Sequence, residues 1–342
     1  MRSIFITDKK VDPNDVCERD IIKRVYSDEA RAYLKSAAGL EEIFSREEII
    51  SCKEPLLDVE FLFSTWGMQK FTEEEIEFFF PNLRAVFYGA GSVKAFAEPF
   101  LKRGIEVISA VLANGIAVAE FTVAEILLAT KGFFYITGKC RENKWDDAKA
   151  KANACPGNYR TKIGIIGAGT IGRRVIRLLS SCVLDVLVCD PYLSDEEASS
   201  LGVRKASIEE IFRECAVVSN HLPNLESTRQ IIRRHHFDSM PENAVFINTG
   251  RSAQLVEAEL IDALRARPDL TALLDVLDHE PPSPDSPLLS LQNAVVTPHI
   301  AGAIAHNERQ RLGDFIVDEF DRYMRGEHSP YSISLEMLKT MA

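Results

Sequence analysis

Short apolar runs alternate with helix-like stretches along two parts of the chain, separated by one long apolar segment. The first part covers roughly residues 20 to 110. Arg24-Val25-Tyr26 reads as a short strand, and Asp28 to Ala38 as a helix with Asp28 near its start. Asp58 to Ser64 is an apolar strand, and Ala85 to Tyr88 another, running into Gly89-Ala90-Gly91. Between them Thr72-Glu73-Glu74-Glu75 has the form of a capping box, opening a helix that must stop by Pro81. Glu106-Val107-Ile108 is the next strand. Ile4-Phe5-Ile6-Thr7 precedes this series without an assigned place. Strands apolar on both faces predict a parallel sheet covered by helices on each side.

The pattern changes around Ala113-Asn114-Gly115. Phe121 to Thr130 begins a long apolar helix, and a polar stretch from Lys139 to Arg160 follows. A second strand-helix series then runs from Lys162 to about Ala301, and a helix from Asn307 to Met324 closes the pattern. No internal repeat or low-complexity segment interrupts it.

The second series opens with chemistry. Ile163-Gly164-Ile165-Ile166 is a buried strand that runs into Gly167-Ala168-Gly169-Thr170-Ile171-Gly172, with a helix expected from Arg173 to Ser180. Gly167 permits a tight turn, Gly169 lets backbone N–H groups approach a pyrophosphate, and Gly172 lets helix pack on strand. The helix start adds oriented N–H groups and partial positive charge. The next strand, Val186 to Cys189, ends at Asp190, about 20 residues beyond the glycines, as the dinucleotide fingerprint requires. A carboxylate there accepts from ribose hydroxyls and repels a 2′-phosphate, which favours NAD over NADP.

Downstream, Asn248-Thr249-Gly250-Arg251, then Asp275 to Pro281, then Thr297-Pro298-His299 supply a cation, a carboxylate and an imidazole. An arginine fork can grip a carboxylate with two hydrogen bonds. The strand Ala244 to Ile247 delivers Arg251 to the carboxyl edge of the sheet, where ligands of α/β folds bind. An imidazole titrates near neutrality and can donate or accept a proton. His279 is the rival imidazole. His235 and His236 point apart on a helix and have no third ligand at metal spacing, so Arg233 to His236 reads as a solvated basic face.

At 342 residues the chain suits two domains, and 46% hydrophobic with 27% charged residues fits a globular protein. A net charge of -11 argues against nucleic-acid or anionic-membrane partners. The N-terminal residues lack a basic-then-apolar signal pattern, and no apolar run is expected to reach spanning length. Seven scattered cysteines without a Cys-x-x-Cys pair fit a reduced, cytoplasmic setting.

These motifs together resemble the D-isomer-specific 2-hydroxyacid dehydrogenases. The resemblance is carried by Gly167 to Gly172, Asp190, His221-Leu222-Pro223, Asn248 to Arg251, Asp275-Val276 with Glu280-Pro281, and Thr297 to Gly302. It is specific from about Asn114 to Gly302 and looser before, where the Tyr88 to Gly91 turn corresponds. It implies a Rossmann-type NAD-binding domain, residues 114–305, and a smaller flavodoxin-like α/β substrate domain, residues 1–113 with 306–342 returning to it. It implies a small 2-hydroxy or 2-keto acid as substrate, hydride transfer to or from NAD across a closing cleft, and a homodimer built on the apolar helix and the arm after it. Arg251 corresponds to the substrate arginine, His299 to the acid/base and Glu280 to the acid that orients it. Thr170 and Ile171 would hold the pyrophosphate, and His221, Leu222, Pro223, Gly250 and Gly302 would line the cofactor. Asp275 and the Thr249 carbonyl would fix the nicotinamide carboxamide. Ala90 and Gly91 would offer N–H groups to the substrate carboxylate.

The chain departs from the family pattern at Ser252, where a glycine usually follows the arginine. Gly91-Ser92-Val93-Lys94 lacks an acid common there, and Thr65-Trp66-Gly67-Met68 is bulky and apolar. These departures bear on the substrate side chain. An NAD-sensing regulatory protein is the alternative reading. Formate oxidation ranks below it, because the formate dehydrogenases that resemble this chain place a glutamine at the position of Glu280.

Overall fold

In a computed structural model of the protein, residues 2–7 and 21–340 are described. The chain divides into two compact units, Met1–Gly115 with Ala303–Ala342, and Ile116–Gly302.

The first unit contains β1 (Arg2–Ile6), α1 (Ile21–Val25), α2 (Asp28–Ala38), β2 (Leu40–Phe44), α3 (Arg46–Cys52), β3 (Val59–Ser64), α4 (Glu73–Phe79), β4 (Ala85–Tyr88), α5 (Ala97–Lys102) and β5 (Glu106–Ser109). All strands are parallel, in the order β2-β1-β3-β4-β5. This is the flavodoxin-like order. The unplaced run Ile4 to Thr7 supplies β1, which lies inside the sheet between β2 and β3. Residues 8–20 lie outside the described residues.

Arg24-Val25-Tyr26 is not a strand. Arg24 and Val25 end α1, whose Ile22 and Val25 are buried, and Tyr26 donates its hydroxyl to the Ser64 carbonyl at 3.0 Å. Apolar residues three apart fit a helical turn as well as a strand, and packing decides. α2 starts where expected, with Ser27 Oγ accepting from Ala30 N–H. The capping box of α4 is present: Thr72 Oγ1 accepts from Glu75 N–H, and Glu75 accepts from Thr72 N–H at 2.9 Å.

The final helices follow the second unit in sequence. Before them come α6 (Val111–Ala129), α7 (Phe133–Arg141), α8 (Trp145–Ala154), β6 (Lys162–Ile166), α9 (Thr170–Leu179), β7 (Asp185–Cys189), α10 (Asp195–Leu201), β8 (Arg204–Lys205), α11 (Ile208–Glu214), β9 (Val217–Asn220), α12 (Arg234–Ser239), β10 (Val245–Asn248), α13 (Glu257–Ala266), β11 (Thr271–Leu274) and β12 (Ala294–Val296). The chain then ends in α14 (His306–Met324) and α15 (Leu335–Thr340).

α14 closes one face of the first sheet. Phe320 meets Phe61, Phe63 and Phe87 edge-on, at centroid distances of 5.4 to 5.5 Å, while Phe63 and Phe87 stack at 5.1 Å. Strand alternation sends Leu62 and Val86 to the other face, where they join Ile76, Phe79 and Phe100. Gly313 lets α14 approach the end of α1, because a Cβ there would lie 2.2 Å from the Val25 carbonyl oxygen.

The seven parallel strands of the second unit run β12-β11-β10-β9-β6-β7-β8. The order reverses between β6 and β9, which makes their carboxyl ends the switch point where ligands of such sheets bind. The two faces are covered by separate apolar cores. One holds Ile166, Phe212, Phe246 and Leu274; the other holds Ile126, Ile163, Ile165, Ile247 and Leu273.

α6 begins at Val111, ten residues before the expected Phe121. By length and composition it is apolar enough to cross a membrane, which overturns the expectation that no run reaches that length. Its Ala117, Val118, Ala119, Thr122, Glu125, Ile126 and Ala129 are buried within the fold, the condition of a core helix. The polar stretch after it forms α7 and α8.

The crowding at Gly313 and the open space at Gly138, in the interior of α7, make opposite predictions. Gly313→Ala should destabilise the first unit by about 1–3 kcal/mol through overpacking. Gly138→Ala should stabilise by roughly 0.5–1 kcal/mol through helix propensity. Denaturant midpoints of the two variants against the parent protein measure both; equal shifts would contradict the packing assigned to Gly313.

Candidate active site in the second unit

The glycine turn sits at the end of β6. Gly167 has φ +93°, and a Cβ on it would lie 2.8 Å from the His221 carbonyl oxygen. A Cβ on Gly172 would lie 2.0 Å from the Gly167 oxygen, so only glycine allows this helix-on-turn contact. Gly169 differs: nothing stands within 4 Å of its would-be Cβ, and it caps α9 without a side-chain hydrogen bond. α9 starts at Thr170, three residues earlier than expected, so the N–H groups of its first turn, including Thr170 and Ile171, face a cradle kept open by Gly169. That donor set fits a pyrophosphate.

Asp190 follows β7. Its Oδ2 accepts from Ala168 N–H at 2.6 Å and its Oδ1 from Tyr192 N–H at 2.7 Å. The carboxylate thus ties the second strand to the glycine turn, and its remaining lone pairs can accept from ribose hydroxyls.

Buried polar residues terminate the next strands. Asn220 ends β9 and Asn248 ends β10, both fully buried. Asn220 donates to Asn248 Oδ1 at 3.0 Å and to Gln254 Oε1 at 3.3 Å. Gln254 in turn accepts from Arg251 N–H and donates to the Pro223 carbonyl. This network fixes the His221-Leu222-Pro223 and Thr249-Gly250-Arg251 loops against each other. Sequence reasoning missed Asn220 and Gln254; the available signal was a polar residue ending an apolar strand.

Arg251 donates from Nη1 to the Gly250 carbonyl at 2.7 Å. Burial lowers its pKa, and the field of Glu280 acts in the opposite sense. Arg251 is thus a largely desolvated cation within the field of Glu280, with capacity left for an anionic ligand.

Asp275, just past β11, is buried at 2% exposure. Its Oδ1 accepts from Thr297 Oγ1 at 2.6 Å and from Ile300 N–H at 2.7 Å, and its Oδ2 from Ala301 N–H at 2.9 Å. Its carbonyl accepts from His299 N–H at 3.1 Å. One residue therefore holds the whole 297–301 turn. Within it His299 is forced to φ +55°, a left-handed conformation that costs a non-glycine residue about 1–3 kcal/mol.

His299 Nδ1 lies 2.8 Å from Glu280 Oε2, and Glu280 Oε1 accepts from Leu277 N–H at 3.0 Å. A carboxylate on Nδ1 places the hydrogen there and leaves Nε2 for a reacting oxygen. His279 is exposed and stands outside this pair. His221 is held neutral: burial pushes its pKa down to about 4, and its Nε2 meets Ser219 Oγ at 3.0 Å.

The expectation of a solvated Arg233 to His236 face fails at His236. That ring is 3% exposed, packs on Phe212, and accepts from Arg233 N–H through Nδ1 at 3.0 Å. The histidine caps α12 from inside, which a count of charges could not reveal. Among the described residues no group of three or more His, Cys, Asp or Glu could hold a metal.

In the first unit, Ala90 and Gly91 follow β4. Ser109 Oγ donates to the Gly91 carbonyl at 2.6 Å, and Thr65 Oγ1 to the Gly89 carbonyl at 2.8 Å. The Thr65 to Met68 loop exposes Trp66.

Residues 123–301 match the family model for the NAD-binding domain of D-isomer-specific 2-hydroxyacid dehydrogenases. Among similar proteins, the D-3-phosphoglycerate dehydrogenase of Methanocaldococcus jannaschii is 31% identical over 240 residues, covering 70% of this chain and 45% of that protein. The chain thus spans under half the length of that relative. The glyoxylate reductase of Korarchaeum cryptofilum is 30% identical over 261 residues, covering 76% of this chain and 78% of the relative. Two solved structures share the fold: a phosphoglycerate oxidoreductase from Rhizobium etli, with TM-score 0.79, 21% identity and coverage of 98% and 99%, and the D-mandelate dehydrogenase of Rhodotorula graminis, with TM-score 0.78, 18% identity and coverage of 97% of each chain. A model matching just over half the chain, together with a relative aligned along most of its own length, settles the kinship: the chain belongs to the D-isomer-specific 2-hydroxyacid dehydrogenase family.

Proposed function

We propose that this protein is an NAD-dependent oxidoreductase that interconverts a D-2-hydroxy acid and its 2-keto acid. The single observation that carries the reading is the 2.8 Å pairing of His299 with Glu280, whose charge also acts on Arg251. Bound NAD would accept or supply the hydride. Arg251 grips the substrate carboxylate and places positive charge beside the carbonyl oxygen. His299 donates a proton from Nε2 to that oxygen during reduction and takes it from the hydroxyl during oxidation. Glu280 holds the ring in the tautomer this transfer needs. Gly167, Gly169, Thr170, Ile171 and Gly172 would seat the pyrophosphate, and Asp190 the adenine ribose. Ala90 and Gly91 are assigned to the substrate carboxylate from the resemblance alone.

A homodimer using α6, α7 and α8 belongs to the same proposal, supported by exposed Leu128, Phe133 and Trp145 along that stretch. A cytoplasmic setting is supported by free thiols at Cys52, Cys140, Cys155, Cys182, Cys189 and Cys215. The net charge of -11 favours small-molecule partners over nucleic acid or anionic membrane.

NADH oxidation against a panel of 2-keto acids tests the activity. His299→Ala should lose roughly 100- to 10,000-fold in kcat. Arg251→Ala should lower kcat/KM by about 100-fold or more, with a raised KM. Unchanged kinetics in either variant would remove that residue from the site. Clear NADH binding without turnover of any panel member would shift the reading to an NAD-sensing protein. Glu280→Gln should lower kcat by roughly tenfold while leaving NADH affinity intact, because Glu280 orients the imidazole and does not touch the cofactor. A variant that lost NADH binding instead would assign Glu280 a structural role.

A further inference from the structure

Glu125 lies on the face of α6 that carries Thr122, one turn earlier. Thr122 Oγ1 is 3.0 Å from Thr249 Oγ1, just past β10, and Asp275 stands just past the adjacent β11. Glu125 is 8% exposed, and its Oε2 has no hydrogen-bond partner. The charged group that acts on it is Asp275. The rest of this α6 face packs through Ala119, Ile126 and Ala129 with apolar Ile163, Ile165, Ile247 and Leu273.

Two neighbouring buried carboxyl groups cannot both stay ionised unless each is solvated by donors. Asp275 has Thr297, Ile300 and Ala301 as donors. Glu125 receives no comparable set among the described residues, so Asp275 keeps the charge and Glu125 the proton. Burial, reinforced by Asp275, pushes the Glu125 carboxyl up to about 8. The function described above leaves this group unused.

Resting on the NAD site proposed above, and on the place beside the nicotinamide carboxamide that the resemblance gives Thr249 and Asp275, we propose that Glu125 is a proton-carrying residue of the nicotinamide end of that site. It is neutral beside the uncharged reduced ring. It ionises, releasing its proton to solvent, when the positively charged oxidised ring binds. No bond to the cofactor forms or breaks in this step; one O–H bond of Glu125 is lost to water, and the carboxylate stays to face the cation. The linkage has a fixed sign. Below the pH at which free Glu125 ionises, near 8, NAD⁺ affinity rises with pH by up to about tenfold per unit. Above it the gain stops. NADH affinity lacks this dependence.

Calorimetric titration of the full chain with NAD⁺ and with NADH, from pH 6 to 9 in two buffers of different ionisation heat, counts the protons directly. The parent protein should release close to one proton per NAD⁺ at pH 7 and none with NADH. Glu125→Gln mimics the neutral acid and should abolish the release and flatten the NAD⁺ to NADH affinity ratio against pH. His299→Gln should retain both. No release in the parent protein, release that survives Glu125→Gln, or release lost in His299→Gln would each overturn the inference while leaving the NAD site intact. Absence of binding by either cofactor would overturn the NAD site and the inference with it.

Discussion

The second unit depends on one buried charge. Asp275 sits where β11 gives way to irregular chain, and its carboxylate gathers a hydroxyl and two backbone N–H groups from the 297–301 turn. Hydrogen bonds to an ionised acceptor are roughly twice as strong as neutral ones. Together they can outweigh the strain of a histidine at φ +55°. The imidazole position is therefore set by a residue that does not touch it through its side chain. Glu280 then fixes ring orientation, so backbone placement and ring orientation have separate causes.

The same device recurs along the sheet edge. Asn220 at the end of β9, Asn248 at the end of β10 and Asp275 after β11 are all buried, and each binds the loop that follows or its neighbour. A loop leaving a buried strand carries N–H and C=O groups that need partners. A polar side chain at the strand end supplies them and makes the loop rigid. The loops held this way are the ones that carry His221, Arg251 and His299. Rigid strand ends presenting functional side chains at a switch point are what an α/β sheet offers a ligand.

Local signals made much of this legible. The capping box at Thr72, the strand Ala85 to Tyr88, and the glycine turn with Asp190 each combine a periodic pattern with a required residue type. β1 was visible as a run but not as an interior strand, since strand order is a long-range property. β2 was hidden because Glu41 and Glu42 are exposed on an edge strand, so no continuous apolar run marks it. Val25 and Tyr26 misled because three residues cannot separate a period of 2 from one of 3.6. Arg251, Glu280 and His299 stood out through the family resemblance, and the structure pairs His299 with Glu280 and sets Arg251 in the field of Glu280. Asn220, Gln254 and the capping role of His236 were not, because their importance lies in burial beside partners distant in sequence.

Glu125 shows the limit most sharply. On a helix otherwise rich in alanine, valine and leucine, whose other glutamate, Glu120, is exposed, a second glutamate reads as one more solvated position. Its meaning appears only when α6 is laid against the ends of β10 and β11. There the donors already taken by Asp275 decide which of two acids is charged. If Glu125 were ionised as well, the pair would place two negative charges in a low-dielectric region with donors enough for one, a state that costs several kcal/mol. The fold thus stores a proton at the strand end next to the turn that carries His299. A site whose ligand alternates between a cation and a neutral ring is where such a proton changes the balance between the two.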